Sequence, residues 1–100
     1  MAVTSKATID TNTLGATGAE LELTTETLIT LYVIEKTGTH ELHRVAIEYS
    51  PDGVNWFASQ HSLNGHGHFM TEQVIATNVR ACVCRAEGSV STAEVVLLAR

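Results

Sequence analysis

Apolar and polar residues alternate along most of this chain with a period of two, and turn-forming residues interrupt the alternation at regular intervals. The clearest stretch has Val45, Ile47 and Tyr49 alternating with Arg44, Ala46 and Glu48, the mark of a strand with one buried face. Ser50-Pro51-Asp52-Gly53 follows it. Proline presets φ for the second position of a type I turn, Ser and Asp bond nearby backbone, and glycine tolerates the positive φ that closes a three-residue loop with a bulge. The hairpin over 43–59 then pairs Ser50 with Val54 and Glu48 with Trp56. That register puts Trp56 on the face of Ala46 and Ala58, opposite Val45, Ile47 and Phe57.

The same signals recur on both sides. Residues 6–10 read as a short edge strand in a Thr-, Ala- and Ser-rich start that could otherwise be an arm. Leu21 and Leu23 alternate with Glu20 and Glu22; a longer strand covers 27–36, and 36–39 is a turn. Beyond the central hairpin come a strand to about residue 62, an Asn64-Gly65 turn, a weaker strand over 66–74 and an inter-sheet connection at 75–78. Strands over 79–86 and 92–99, joined by Glu87-Gly88-Ser89, complete the chain. About eight short strands without a helix predict an all-β fold, an antiparallel two-sheet β-sandwich of immunoglobulin-like or jelly-roll type. Residues 1–18 are expected to be an N-terminal arm or edge strand, and 19–100 a single β-sandwich domain.

Two strands depart from one-sided alternation. Ile29, Leu31 and Val33 point one way, while Leu28, Tyr32 and Ile34 point the other; Val95, Leu97 and Ala99 are likewise opposed by Val96 and Leu98. At ~25 cal/mol per Å², three such side chains left in water forgo several kcal/mol. Either the N-terminal arm or a long loop covers the second face, or a neighbouring subunit does. Leu28, Leu31, Tyr32, Ile34, Val96 and Leu98 are the candidate interface residues, and a homo-oligomer, trimer or dimer, is expected.

Composition narrows the functional classes. Six basic residues against eleven acidic ones give a net charge of −5, without a Lys/Arg cluster, which argues against nucleic acid and anionic membranes. The start of the chain lacks the apolar core of a signal peptide, and the apolar runs are strand-sized. The chain reads as a complete protein made in the cytoplasm. Two cysteines two positions apart lie roughly 6.6 Å apart between Cα atoms, with parallel side chains, so a Cys82–Cys84 disulfide is not expected.

Candidate chemistry is sparse. His66 and His68 share a face if their stretch is a strand, as do Cys82 and Cys84, and the four could form a tetrahedral zinc site if those strands are neighbours. The spacing lacks the C-x-x-C of zinc knuckles; loop histidines and buried thiols are the plainer expectation, and no metal or cofactor is expected. The sequence carries no nucleophile elbow, phosphate loop or paired acid and base, so an enzyme is not expected. Trp56 beside small alanines offers a platform for a sugar ring or a partner side chain, with burial as the alternative.

The run Val45-Ala46-Ile47-Glu48-Tyr49-Ser50-Pro51-Asp52-Gly53-Val54-Asn55-Trp56 resembles the S-x-D-G-x-x-W hairpin of small tailed-bacteriophage virion proteins. Asn78-Val79-Arg80-Ala81 is similar to a strand that recurs in them, and Thr17-Gly18-Ala19 to a segment before it. The hairpin also occurs in carbohydrate-binding β-sandwiches. The resemblance spans about residues 16–99 and implies a non-enzymatic capsid decoration (cement) protein. It would sit on the virion surface, with the major capsid protein or other virion proteins as partners. The alternative it leaves is a carbohydrate- or surface-binding tail or adhesion module using Trp56. The histidine-rich loop over 61–68 departs from the family pattern.

Overall fold

The computed structural model describes residues 2–37, 43–63, 68–86 and 92–100, with backbone alone over 35–37. The described residues form eight strands: β1 (Val3–Asp10), β2 (Thr17–Glu22), β3 (Leu28–Thr37), β4 (Arg44–Ser50), β5 (Phe57–Leu63), β6 (His68–Gln73), β7 (Asn78–Arg85) and β8 (Thr92–Ala99). All pair antiparallel. They form two four-stranded sheets, β1-β8-β3-β6 and β2-β7-β4-β5. The two-sheet sandwich expected from the alternation is therefore the observed fold.

The order selects between the two expected sandwich types. First pairs with last, second with seventh, third with sixth and fourth with fifth. This nesting is one long hairpin rolled onto itself, the jelly roll. The tip of that hairpin is the Ser50–Trp56 loop. Inward positions alternate as the sequence predicts: Ile29, Leu31 and Val33 of β3, Val45 and Ile47 of β4, Val79, Ala81 and Val83 of β7, and Val95, Leu97 and Ala99 of β8 form the core.

Two expectations about pairing are corrected. An Asn64-Gly65 hairpin would make β5 and β6 neighbours, yet β5 is an edge of one sheet and β6 an edge of the other. The turn itself lies outside the described residues, as do the turns at 38–39 and 87–89. The β4–β5 register is also wider than a three-residue loop allows. Tyr49 pairs with Phe57 and Glu48 with Ala58, so Ser50 does not pair with Val54.

Side chains explain the wider loop. The Ser50 hydroxyl oxygen accepts from the Gly53 amide at 2.7 Å, and Asp52 Oδ1 accepts from the Val54 and Asn55 amides at 2.8 and 2.7 Å. Asn55 Nδ2 donates to Asp52 Oδ2 at 2.6 Å. These bonds satisfy backbone groups that a tight hairpin would have paired across strands. Gly53 takes φ +78°, as its place in the turn requires. Hydrogen bonds from the Asn55 and Val54 amides hold the Asp52 carboxyl at about 2, below its usual range. A depressed folded-state value adds stability above the unfolded pKa, about 4, that is lost as pH falls toward 2. Between about pH 5 and 2, Asp52→Asn is therefore expected to lose less melting temperature than wild type. Parallel acid slopes in thermal melts would reject the assignment.

Candidate functional site

The outer face of the β1-β8-β3-β6 sheet exposes several large apolar side chains. Leu28, Tyr32 and Ile34 project from β3, as the alternation predicts, and all three are exposed, Ile34 at 52%. Val96 and Leu98 lie beside them, half-buried, because Tyr32 pairs with Val96 and Thr30 with Leu98. The N-terminal segment does not cover this face. Residues of β1 pair with β8 in the plane of the sheet, Thr4 opposite Leu98 and Lys6 opposite Val96. Cover by an N-terminal arm is thereby corrected: the arm is spent extending the sheet.

The pairing of β3 with β6 adds a residue that sequence reasoning missed. Phe69 stands opposite Tyr32, 63% exposed, with ring centroids 5.6 Å apart. No signal in the sequence announced it, since the contact joins residues 37 positions apart in a pairing that local patterns do not specify. Polar groups frame the patch. Thr30 and Thr71 share a hydroxyl hydrogen bond of 2.9 Å, and Lys6 pairs with Glu94 at 2.8 Å.

Leu31 is a correction. From the sequence it is expected among the interface residues, but its side chain lies on the inner face and is fully buried between the sheets. It pairs with Met70 on one side and core Leu97 on the other. A period of two cannot place both Leu31 and Tyr32 on one surface.

Trp56 lies half-buried against the outer face of the other sheet. The Arg80 guanidinium carbon sits 3.9 Å from the ring centroid, and Arg80 Nε donates to Glu48 Oε1 at 2.7 Å. Glu48 and Arg80 are directly opposed on β4 and β7, which sets the cation over the indole. One ring face is thus already taken by a guanidinium held by a carboxylate. The chain has one tryptophan, so its emission reports this contact alone. Arg80→Ala is expected to shift Trp56 emission to the red and to lower stability by ~1–2 kcal/mol. An unchanged spectrum would show that the ring is not covered.

Among the described residues the expected zinc arrangement does not assemble. His68 belongs to β6 in one sheet, and Cys82 and Cys84 belong to β7 in the other. His66 lies outside the described residues. Among the described residues no three metal-ligating side chains cluster. Cys82 is buried and Cys84 exposed, both free thiols flanking inward Val83. Burial, with Glu48 nearby, pushes the Cys82 thiol up to about 11, which keeps it protonated and unreactive at neutral pH.

At the β5/β6 flank one carboxylate joins the sheets. Glu72 of β6 accepts from the Tyr49 hydroxyl at 2.6 Å and from the Ser59 hydroxyl at 2.7 Å. Partial burial and the neighbouring carboxylate raise the Tyr49 pKa well above its usual value.

No family model and no curated protein matches the chain. Among solved structures, the SPBc2 prophage-derived protein YomS is similar over 95% of each chain, with 10% identity and a TM-score of 0.52. A protein of the Bacillus endospore appendages, described as disulfide-linked pili, is 19% identical over 99% of this chain and 86% of its own, with a TM-score of 0.45. The first of these likenesses shows a shared fold.

Proposed function

We propose that this chain is a non-enzymatic structural protein of a bacteriophage virion, a decoration protein that binds across junctions between capsid subunits. The observation that carries the proposal is the uncovered apolar face around Leu28, Tyr32, Ile34 and Phe69. Fully burying a side chain of this size is worth ~1.5–3 kcal/mol, so a partner surface laid over the patch gains several kcal/mol. A clamp across a junction acts mechanically, since separating the subunits beneath it re-exposes that area. The fold shared with a prophage-derived protein, the virion-type hairpin motif and the acidic surface without a basic cluster support the same reading.

The test is co-sedimentation with phage heads stripped of decoration proteins. Wild type is expected to bind saturably and to raise the temperature at which the heads burst. Ile34→Asp, with an unchanged circular dichroism spectrum, is expected to lose binding at least tenfold. Equal binding by the two proteins, or none by wild type, would reject the proposal.

A further inference from the structure

We infer that two copies of this chain pair through the free edge of β6, antiparallel about Met70, to make one continuous eight-stranded sheet. An edge strand presents unpaired N–H and C=O groups, and natural sheets guard such edges with charges, bulges, proline or cover. Among the described residues, three of the four sheet edges carry a lysine or a bulge. β1 carries Lys6 and Asp10 and closes against β2, where Gly18 meets Ala7 and Ile9. The pairing of β2 is broken by a bulge between Gly18 and Leu21, with Ala19 at φ +57°. In β5, three residues stand opposite one of β4 between the Ala46 and Glu48 pairs. β6 pairs with β3 over six residues in unbroken register, and it contains neither Lys, Arg nor Pro. Its one acid, Glu72, is an inward-pointing charge of the kind that blunts an edge, but Tyr49 and Ser59 each donate to one of its oxygens, so it is held within its own subunit.

The apolar evidence lies on the same flank. The chain has two phenylalanines, and both are exposed on its edge strands: Phe69 of β6 at 63% and Phe57 of β5 at 61%. The occupant follows from the sequence of β6 itself. Antiparallel self-pairing about Met70 sets His68 opposite Glu72 of the second copy, twice, and Phe69 opposite Thr71. The alternative centre, Thr71, would set Met70 against Glu72. No like charges meet in the chosen register, and β5, which stacks behind β6, carries no Lys, Arg, Asp or Glu. Paired residues of equal parity share a face, so the twofold axis is perpendicular to the sheet. Both Tyr32–Phe69 patches then face the same way, an isologous arrangement that doubles the outer apolar surface for a single partner.

The test uses the isolated full-length protein, so its outcome does not depend on capsid binding. Sedimentation equilibrium is expected to give twice the 10.8 kDa chain mass at high micromolar concentration. His68→Glu is expected to weaken the dimer at least tenfold with an unchanged circular dichroism spectrum. With Cys82→Ala and Cys84→Ala in place, Met70→Cys is expected to cross-link as a dimer on oxidation or with a short thiol reagent. A monomer mass at all concentrations would reject the interface, and cross-linking through Thr71→Cys but not Met70→Cys would reject the register.

Discussion

Leu31→Asp is expected to leave the chain unfolded at 25 °C, whereas Ile34→Asp should melt within about 8 °C of wild type. The two residues are three positions apart on one strand, and both are aliphatic. Leu31 is fully buried between Met70 and Leu97 in the pairing of β3. Truncating a buried leucine costs ~2–5 kcal/mol, and an unpaired buried carboxylate adds several more. A domain of this size has only ~5–15 kcal/mol in total. Ile34 is half in water already, so its replacement changes strand propensity, a scale of ~1 kcal/mol, and little else. That corresponds to roughly 4–8 °C in a domain of 60–100 residues. Circular dichroism melts of the two variants decide it. A folded Leu31→Asp protein would mean that the faces of β3 are reversed, and with them the candidate interface.

The contrast also marks how far the sequence could be read. Strand identity was legible because the period of two is local, and so was the face of each residue in β3, β4 and β8. The tip of the nested hairpin was legible because Ser50, Pro51, Asp52 and Gly53 carry their own conformational preferences. Register was not. Asp52 and Ser50 take the loop amides with their side chains, which permits a six-residue connection where the turn residues alone suggest three. The error is a shift of two, so it preserves faces, and Trp56 still falls on the outer side with Glu48 and Ala58.

Which strands become neighbours was the least legible property. Asn64-Gly65 has the chemistry of a tight hairpin, but β5 and β6 belong to opposite sheets because the roll pairs third with sixth and fourth with fifth. That one long-range choice dismantles the His68, Cys82, Cys84 arrangement and brings Phe69 to Tyr32. The Arg80 stack on Trp56 depends on it too, since it requires β4 beside β7. Leu31 departs from its expected place for a different reason: its own parity, shared with Ile29 and Val33, assigns it to the core and not to the outer row.

Gly18→Ala is expected to destabilise the fold by ~1–3 kcal/mol, and most of that loss should vanish when Ile9 is also shortened. Gly18 lies opposite Ala81 in one sheet, at the flank where β1 of the other sheet closes over it. A Cβ at position 18 would lie 2.7 Å from Ile9 Cγ2 and 3.1 Å from Ala7 Cβ. Neither atom is the far end of a flexible side chain; both are fixed within one or two bonds of the backbone, so the strands themselves must separate. Replacing glycine gains ~0.4–1 kcal/mol by restricting the unfolded chain, which the overlap outweighs. Ile9→Ala alone should cost ~2–5 kcal/mol, because its side chain is buried and leaves a cavity. In the double variant the new methyl of residue 18 enters the space that Ile9 vacates. Urea midpoints of the four proteins should therefore give a coupling energy of at least ~1 kcal/mol, well beyond the ~0.3–0.5 kcal/mol scatter of independent sites. Additive losses would mean that β1 and β2 do not meet through Gly18, and the flank opposite β6 would then be open as well.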